Sequence, residues 1–225
     1  MVIPWIDLAV SGWFFAPEGG FPLARNSTMA AIRDVNRLVP RILLPAMAVI
    51  VVVHAFSTRP GWLPRPHQAL YVFGVYAIGS GLVVSLLKDI VGRARPDDTI
   101  AFGGNAVYTI PWQLSDACKS NCSFSSGEAG SAAAMMSAVM LAPAPMRRPL
   151  FWTLAPLAIL FSVLRIAFGK HFLSDVVVSW VLVAMVAVVL WRWFVTHGET
   201  IDRAVTGSGL PLARSLGRYL GNPAR

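Results

Sequence analysis

Residues 165–195 read RIAFGKHFLSDVVVSWVLVAMVAVVLWRWFV. From residue 173 onward this stretch stays apolar over about the 20 residues that a helix needs to cross the hydrocarbon core of a bilayer. The residues just before and at its start carry Arg165, His171 and Asp175. Such groups are costly at a membrane boundary, so they point to a function there. Further apolar stretches fall near residues 38–56, 68–90, 127–145 and 150–169. Five predicted spans make an all-α fold, a polytopic membrane helical bundle. Composition agrees: of 225 residues 56% are hydrophobic and 13% charged, against roughly 25% charged in a soluble domain.

The flanks of the bundle complete the domain organisation. Residues 1–37 read as an N-terminal interfacial segment, 38–195 as the transmembrane bundle and 196–225 as a basic cytoplasmic tail. The apolar start is interrupted by Asp7 and ended by Pro17, Gly19 and Gly20. It is short for a span and lacks the basic start and small-residue cleavage site of a signal peptide, so it is interfacial or a partial span. Residues 27–37 read as a short surface helix capped by Asn26 or Ser27 and carrying Arg33 and Arg37.

The net charge of +8 is scattered over span ends and the tail, with no basic face of the kind that binds nucleic acid. Cationic residues beside spans serve orientation, lipid headgroups or an anionic substrate. The 57–67 loop, the Arg147–Arg148 turn and the tail with Arg192, Arg203, Arg214, Arg218 and Arg225 share one side, which the positive-inside rule makes cytoplasmic. Arg25, Arg33 and Arg37 break that rule and are assigned to the surface helix. The long 92–126 loop and the 169–174 turn then lie together on the opposite face. Cys118 and Cys122 sit in that loop, a candidate disulfide if the loop faces an oxidising compartment and two free thiols otherwise.

Three polar clusters interrupt the apolar chain, each at a span end on the same side. They are Lys88 to Pro96, Ser123 to Ala129, and Arg165 with His171 and Asp175. Lys88 offers a flexible point charge, and Arg95 and Arg165 offer planar forks that match phosphate oxygens. Ser126 and Gly127 open a helix whose free N–H groups favour an anion. His171 and Asp175 are one helical turn apart, a spacing at which a carboxylate can orient one ring nitrogen and leave the other free to attack.

The Lys-x6-Arg-Pro run at 88–96, the Ser-Gly at 126–127 and the Arg-x5-His-x3-Asp run at 165–175 resemble the three-part signature of the type 2 phosphatidic acid phosphatase family. The resemblance implies phosphate ester hydrolysis in two steps, with no metal or other cofactor and a membrane-lipid phosphate as substrate. His171 would attack phosphorus to give a phosphohistidine, with Asp175 orienting its ring. Lys88, Arg95, Arg165 and the Ser126–Gly127 backbone would bind the phosphate. Two positions depart from the family pattern. Leu164 stands where a serine is usual, and Glu128 stands where a histidine is usual, as general acid to the leaving group.

Glu128 could replace that acid if it keeps its proton near neutral pH. Otherwise the substrate needs little acid help, as with a lipid diphosphate or an anomeric glycolipid phosphate. Gly103-Gly104, and Asn121 to Phe124 running into Ser126-Gly127-Glu128, are similar to the branch of bacterial lipid A phosphatases. That branch implies a bacterial inner membrane with the active site facing the periplasm. A catalytically inactive lipid-phosphate binder and a transporter remain as alternatives, though no broken-helix internal repeat supports a transporter.

Overall fold

The computed structural model describes residues 4–56 and 61–206, and among them no strand forms. Helix α1 (Pro4–Gly12) is short, and α2 (Ser27–Phe56) is a single rod. Asn26 caps α2, its Oδ1 accepting from the Met29 N–H at 3.1 Å. Residues 27–37 are thus the first turns of a long helix and not a separate surface helix. Pro40 and Pro45 lie inside it without ending it, because a proline forfeits one backbone bond that neighbouring groups in a bundle can offset.

The chain returns through α3 (Pro66–Gly74), a π-helical stretch (Val75–Val83) and α4 (Val84–Val91). Gly79 in the π stretch packs on Val183, where an added Cβ would meet the Val183 side chain at ordinary contact distance, 3.5 Å. Helix α6 (Ala144–Ala167) and helix α7 (Leu173–Val205) complete the long elements. Among the described residues four helices are long and apolar enough to cross a membrane: Ser27–Phe56, Pro66–Lys88, Ala144–Ala167 and Leu173–Val205.

The remaining apolar stretch, expected at 127–145, is shorter. It forms α5 (Gly127–Met135) and a 3-10 turn (Met136–Leu141). Its small residues explain its place. Ala129, Ala132 and Ala134 are fully buried, and small side chains let neighbouring helices close in on one another. α5 therefore threads the middle of the bundle, packed against α2, the π stretch, α6 and α7. At its far end Gln68 donates to the Met140 carbonyl at 2.7 Å.

Helix α7 continues past the span end expected at residue 195. Its extension is held by Asp202, which accepts from the His67 N–H at 3.0 Å and meets His67 Nδ1 at 2.9 Å. The expected tail therefore begins inside a helix. Its residues 207–225, with Arg214, Arg218 and Arg225, lie outside the described residues.

Candidate active site

Polar ends of α2, α4, α5 and α6 meet at one end of the bundle around a cavity of 330 Å³. Lys88 reaches it from the last turn of α4, Arg165 from the last turn of α6, and Gly127 and Glu128 from the first turn of α5. Arg95 comes from the loop after α4, and His171 from the turn between α6 and α7. The three sequence clusters are thus brought together although they span about 90 residues of chain. Two predicted site residues, Ser126 and Asp175, do not line the cavity and are fully buried. Ser126 serves as N-cap, its Oγ accepting from the Ala129 N–H at 3.3 Å.

The His171 ring is 2% exposed, and its Nδ1 lies 2.6 Å from the Ser123 carbonyl oxygen. A carbonyl can only accept, so Nδ1 carries the hydrogen and Nε2 of the neutral ring keeps its lone pair. Burial pushes His171 well below the ordinary histidine value, and the positive charges of Arg165 and Lys88 push the same way. The neutral ring is therefore the resting form.

Sequence spacing gives Asp175 the bond to that ring, but the structure inserts Ser123 between them. Asp175 Oδ2 is 4.0 Å from His171 Nδ1. It accepts instead from Ser123 Oγ at 2.5 Å and from the Phe172 N–H at 2.8 Å. Ser123 thus bonds the carboxylate through its hydroxyl and the imidazole through its carbonyl. The other carboxylate oxygen accepts from Arg93 at 2.6 Å. Arg93, which lies within the first cluster but is not among the residues expected to bind phosphate, is fully buried.

The environment of Glu128 is set by arginines. Arg37 donates to Oε1 through two nitrogens at 3.0 and 2.7 Å, and Arg165 lies 3.3 Å from Oε2. Arg33 and Arg37 both line the cavity, which gives two of the three arginines that offend the charge rule a place in the site; Arg25 does not line it. Asn121 is a further residue that spacing does not reveal. Its side-chain oxygen accepts from Lys88 at 3.0 Å, and its carbonyl accepts from Arg95 at 3.1 and 2.7 Å. Cys118 and Cys122 are joined around it, their Cα atoms 5.5 Å apart, so the loop that steers both cations is closed on itself.

The tight turn before His171 depends on Gly169, whose φ is +66°. A Cβ there would lie 2.3 Å from the Phe21 ring. The Asp97 N–H donates to the Gly169 carbonyl at 3.0 Å, and Lys170 pairs with the Asp97 side chain. These bonds tie the first cluster to the third.

Residues 68–199 match the PAP2 superfamily. The chain belongs to that superfamily. Among curated relatives of this PAP2 protein, a lipid A 4'-phosphatase of Rhizobium leguminosarum is 33% identical over 79% of this chain and 82% of the relative. A lipid A 4'-phosphatase of Rhizobium etli is 31% identical over 79% and 74% of the two chains. One from Francisella tularensis subsp. novicida is 36% identical over a shorter region, 44% and 46% of the two. No solved structure matches. With four helices fit to span a membrane, the PAP2 protein is a multi-pass membrane protein of the lipid phosphatase kind.

Proposed function

We propose that this chain hydrolyses the 4'-phosphate of lipid A through a phosphohistidine on His171. The observation that carries the reading is the imidazole's setting. Its Nδ1 is committed to the Ser123 carbonyl, and the ring lines a cavity shared with Lys88, Arg95 and Arg165. Arg165 supports anion binding further, since its buried Nε has no hydrogen-bond partner among the described residues.

In the first step Nε2 attacks phosphorus and the bond from phosphorus to the sugar oxygen breaks. Positive charge from Lys88, Arg95 and Arg165, with the N-terminal dipole of α5, stabilises the charge on the equatorial oxygens. Water then cleaves the phosphorus–nitrogen bond, releasing phosphate and restoring the neutral ring. The charged partners of Glu128 are both guanidinium groups, so its role is that of a counter-ion that orders Arg37 and Arg165, in place of an acid. Arg37 stands on the open side, its side chain 43% exposed against 6% for Arg165. The lipid leaves past it, and because the 4'-oxygen is an ordinary alkoxide and not the stabilised anion of a diphosphate or anomeric phosphate, water on this open side gives it a proton as the bond breaks. The four long apolar helices, with α5 packed among them, lie in the bacterial inner membrane with the site at the periplasmic face.

The test is phosphate release in detergent, without added metal, from lipid A, phosphatidate, phosphatidylglycerophosphate and undecaprenyl diphosphate. Lipid A should be the best substrate and should lose its 4'-phosphate. His171→Ala should lower the rate by on the order of a thousandfold or more; full activity in that variant sinks the mechanism. Glu128→Gln should cost only about fivefold, ~1 kcal/mol, as expected of a partly exposed ion pair. An alkaline fall in wild-type rate that this variant abolishes would restore Glu128 as the acid. The histidine missing at 128 favours a second reading, a lipid-phosphate binder without turnover, which release from any of the four lipids excludes.

A further inference from the structure

We propose that Asp7, on the N-terminal helix α1, is a positioning residue of this site, holding through Arg93 and Ser174 the pair of groups that fixes the His171 ring. The proposal rests on His171 being the nucleophile. Asp7 is the charged residue that interrupts the first apolar stretch, and it is only 2% exposed. Its Oδ1 accepts from the Ser174 N–H at 2.8 Å. Its Oδ2 accepts from Ser174 Oγ at 2.5 Å, from Arg93 at 2.9 Å and from Tyr108 at 3.3 Å.

Two consequences of this geometry reach the imidazole. The Ser174 N–H belongs to the first turn of α7, where helix N–H groups lack partners within the helix. Asp7 therefore caps α7 from another element, beside the turn that presents His171. The second consequence runs through the Arg93 fork. One terminal nitrogen bonds Asp7, and the other bonds Asp175 Oδ1 at 2.6 Å. The Arg93 Nε is fixed on the Thr109 carbonyl at 2.9 Å, and the guanidinium lies 4.3 Å from the Phe172 ring centre.

With one nitrogen taken by Asp7, Arg93 engages a single oxygen of Asp175. The other oxygen is left to Ser123, whose carbonyl receives the His171 Nδ1–H. Without the Asp7 charge, the fork is free to pair with both oxygens of Asp175, as guanidinium groups favour with carboxylates. Oδ2 then draws away from Ser123, and the ring loses its fixed tilt. None of the bonds of Asp7 involves Lys88, Arg95 or Arg165, so the effect falls on attack and not on phosphate binding.

The experiment compares wild type, Asp7→Asn, Asp7→Glu and Asp7→Ala in detergent, with lipid A as substrate and inorganic phosphate and vanadate as inhibitors. Phosphate reports ground-state binding, whereas vanadate mimics the five-coordinate state and needs an aligned Nε2. Asp7→Asn keeps the shape and, through its one carbonyl oxygen, the bond to the Ser174 N–H, and puts an amide donor where Oδ2 accepts from Arg93, Ser174 Oγ and Tyr108. It should lower kcat by roughly 10–100-fold, the scale at which groups behind a working histidine act. KM and phosphate inhibition should stay within about twofold, and vanadate inhibition should weaken in proportion to kcat. Asp7→Glu should recover part of the loss. Unchanged kcat and vanadate inhibition in Asp7→Asn overturn the proposal, as does an equal loss of phosphate and vanadate inhibition, which marks a merely structural residue. If Asp7→Ala does not fold, the Asn and Glu variants decide. A wild type without turnover overturns the proposed function instead, so the two failures are told apart.

Discussion

What keeps the His171 ring neutral also sets how the proposed reaction responds to acid. Burial first, then Arg165 and Lys88, hold this ring well below the ordinary histidine value, so the neutral form that the proposed attack needs persists as pH falls past about 6.5, where an unperturbed histidine is half protonated. The acid limb of kcat/KM, which reports the free enzyme, should lie below that value once the ionisation of the substrate phosphate is divided out. Removing a nearby positive charge makes the imidazolium less unfavourable and raises the value. Arg165→Gln should therefore move the limb upward, toward 6.5, in addition to lowering the rate. A limb that stays in place, measured between pH 4.5 and 8, would mean that His171 is not the group being titrated.

Among the elements, α5 is closely packed and makes a tight demand on side-chain size. A Cβ on Gly130 would lie 3.2 Å from Val84 Cγ2, and Ala129, Ala132 and Ala134 leave no exposed surface to yield. Gly130→Val should destabilise by about 1–3 kcal/mol through overpacking, visible as a lower Tm in detergent; an unchanged Tm would show that α5 is loosely held. The same smallness hides this element in the sequence. Its alanines read as one more apolar span, whereas its 3-10 ending and central place come from what packs around it. The long helices and the three charged clusters are legible because uninterrupted apolar runs and boundary charges have few other uses in a bilayer. Arg37, Asn121 and Asp7 are not, since their partners stand 91, 33 and 86 residues away. Ser123 escapes notice because its carbonyl, which no side-chain pattern records, holds the imidazole.

At the scale of the whole molecule, the bundle has two unlike polar ends, and the proposed orientation, with the site at the periplasm, rests on their charge. The end opposite the site carries Arg65, Arg147 and Arg203 around a cavity of 730 Å³, and such residues beside short loops are retained on the cytoplasmic side. The site end is also cationic, but Arg33, Arg37, Lys88, Arg95 and Arg165 there line the candidate cavity, and in the proposed function they serve the phosphate and not topology. The joined Cys118 and Cys122 belong to that same end, which suits an oxidising compartment. Single cysteines at Val107, 67% exposed in the site-end loop, and at Trp62, 82% exposed at the other end, turn this into a measurement. In cells with a permeabilised outer membrane, Val107→Cys should react with a membrane-impermeant maleimide, and Trp62→Cys should react only after the inner membrane is lysed. The reverse pattern would place the site in the cytoplasm, where its charges would have to obey the rule that Arg33 and Arg37 now escape.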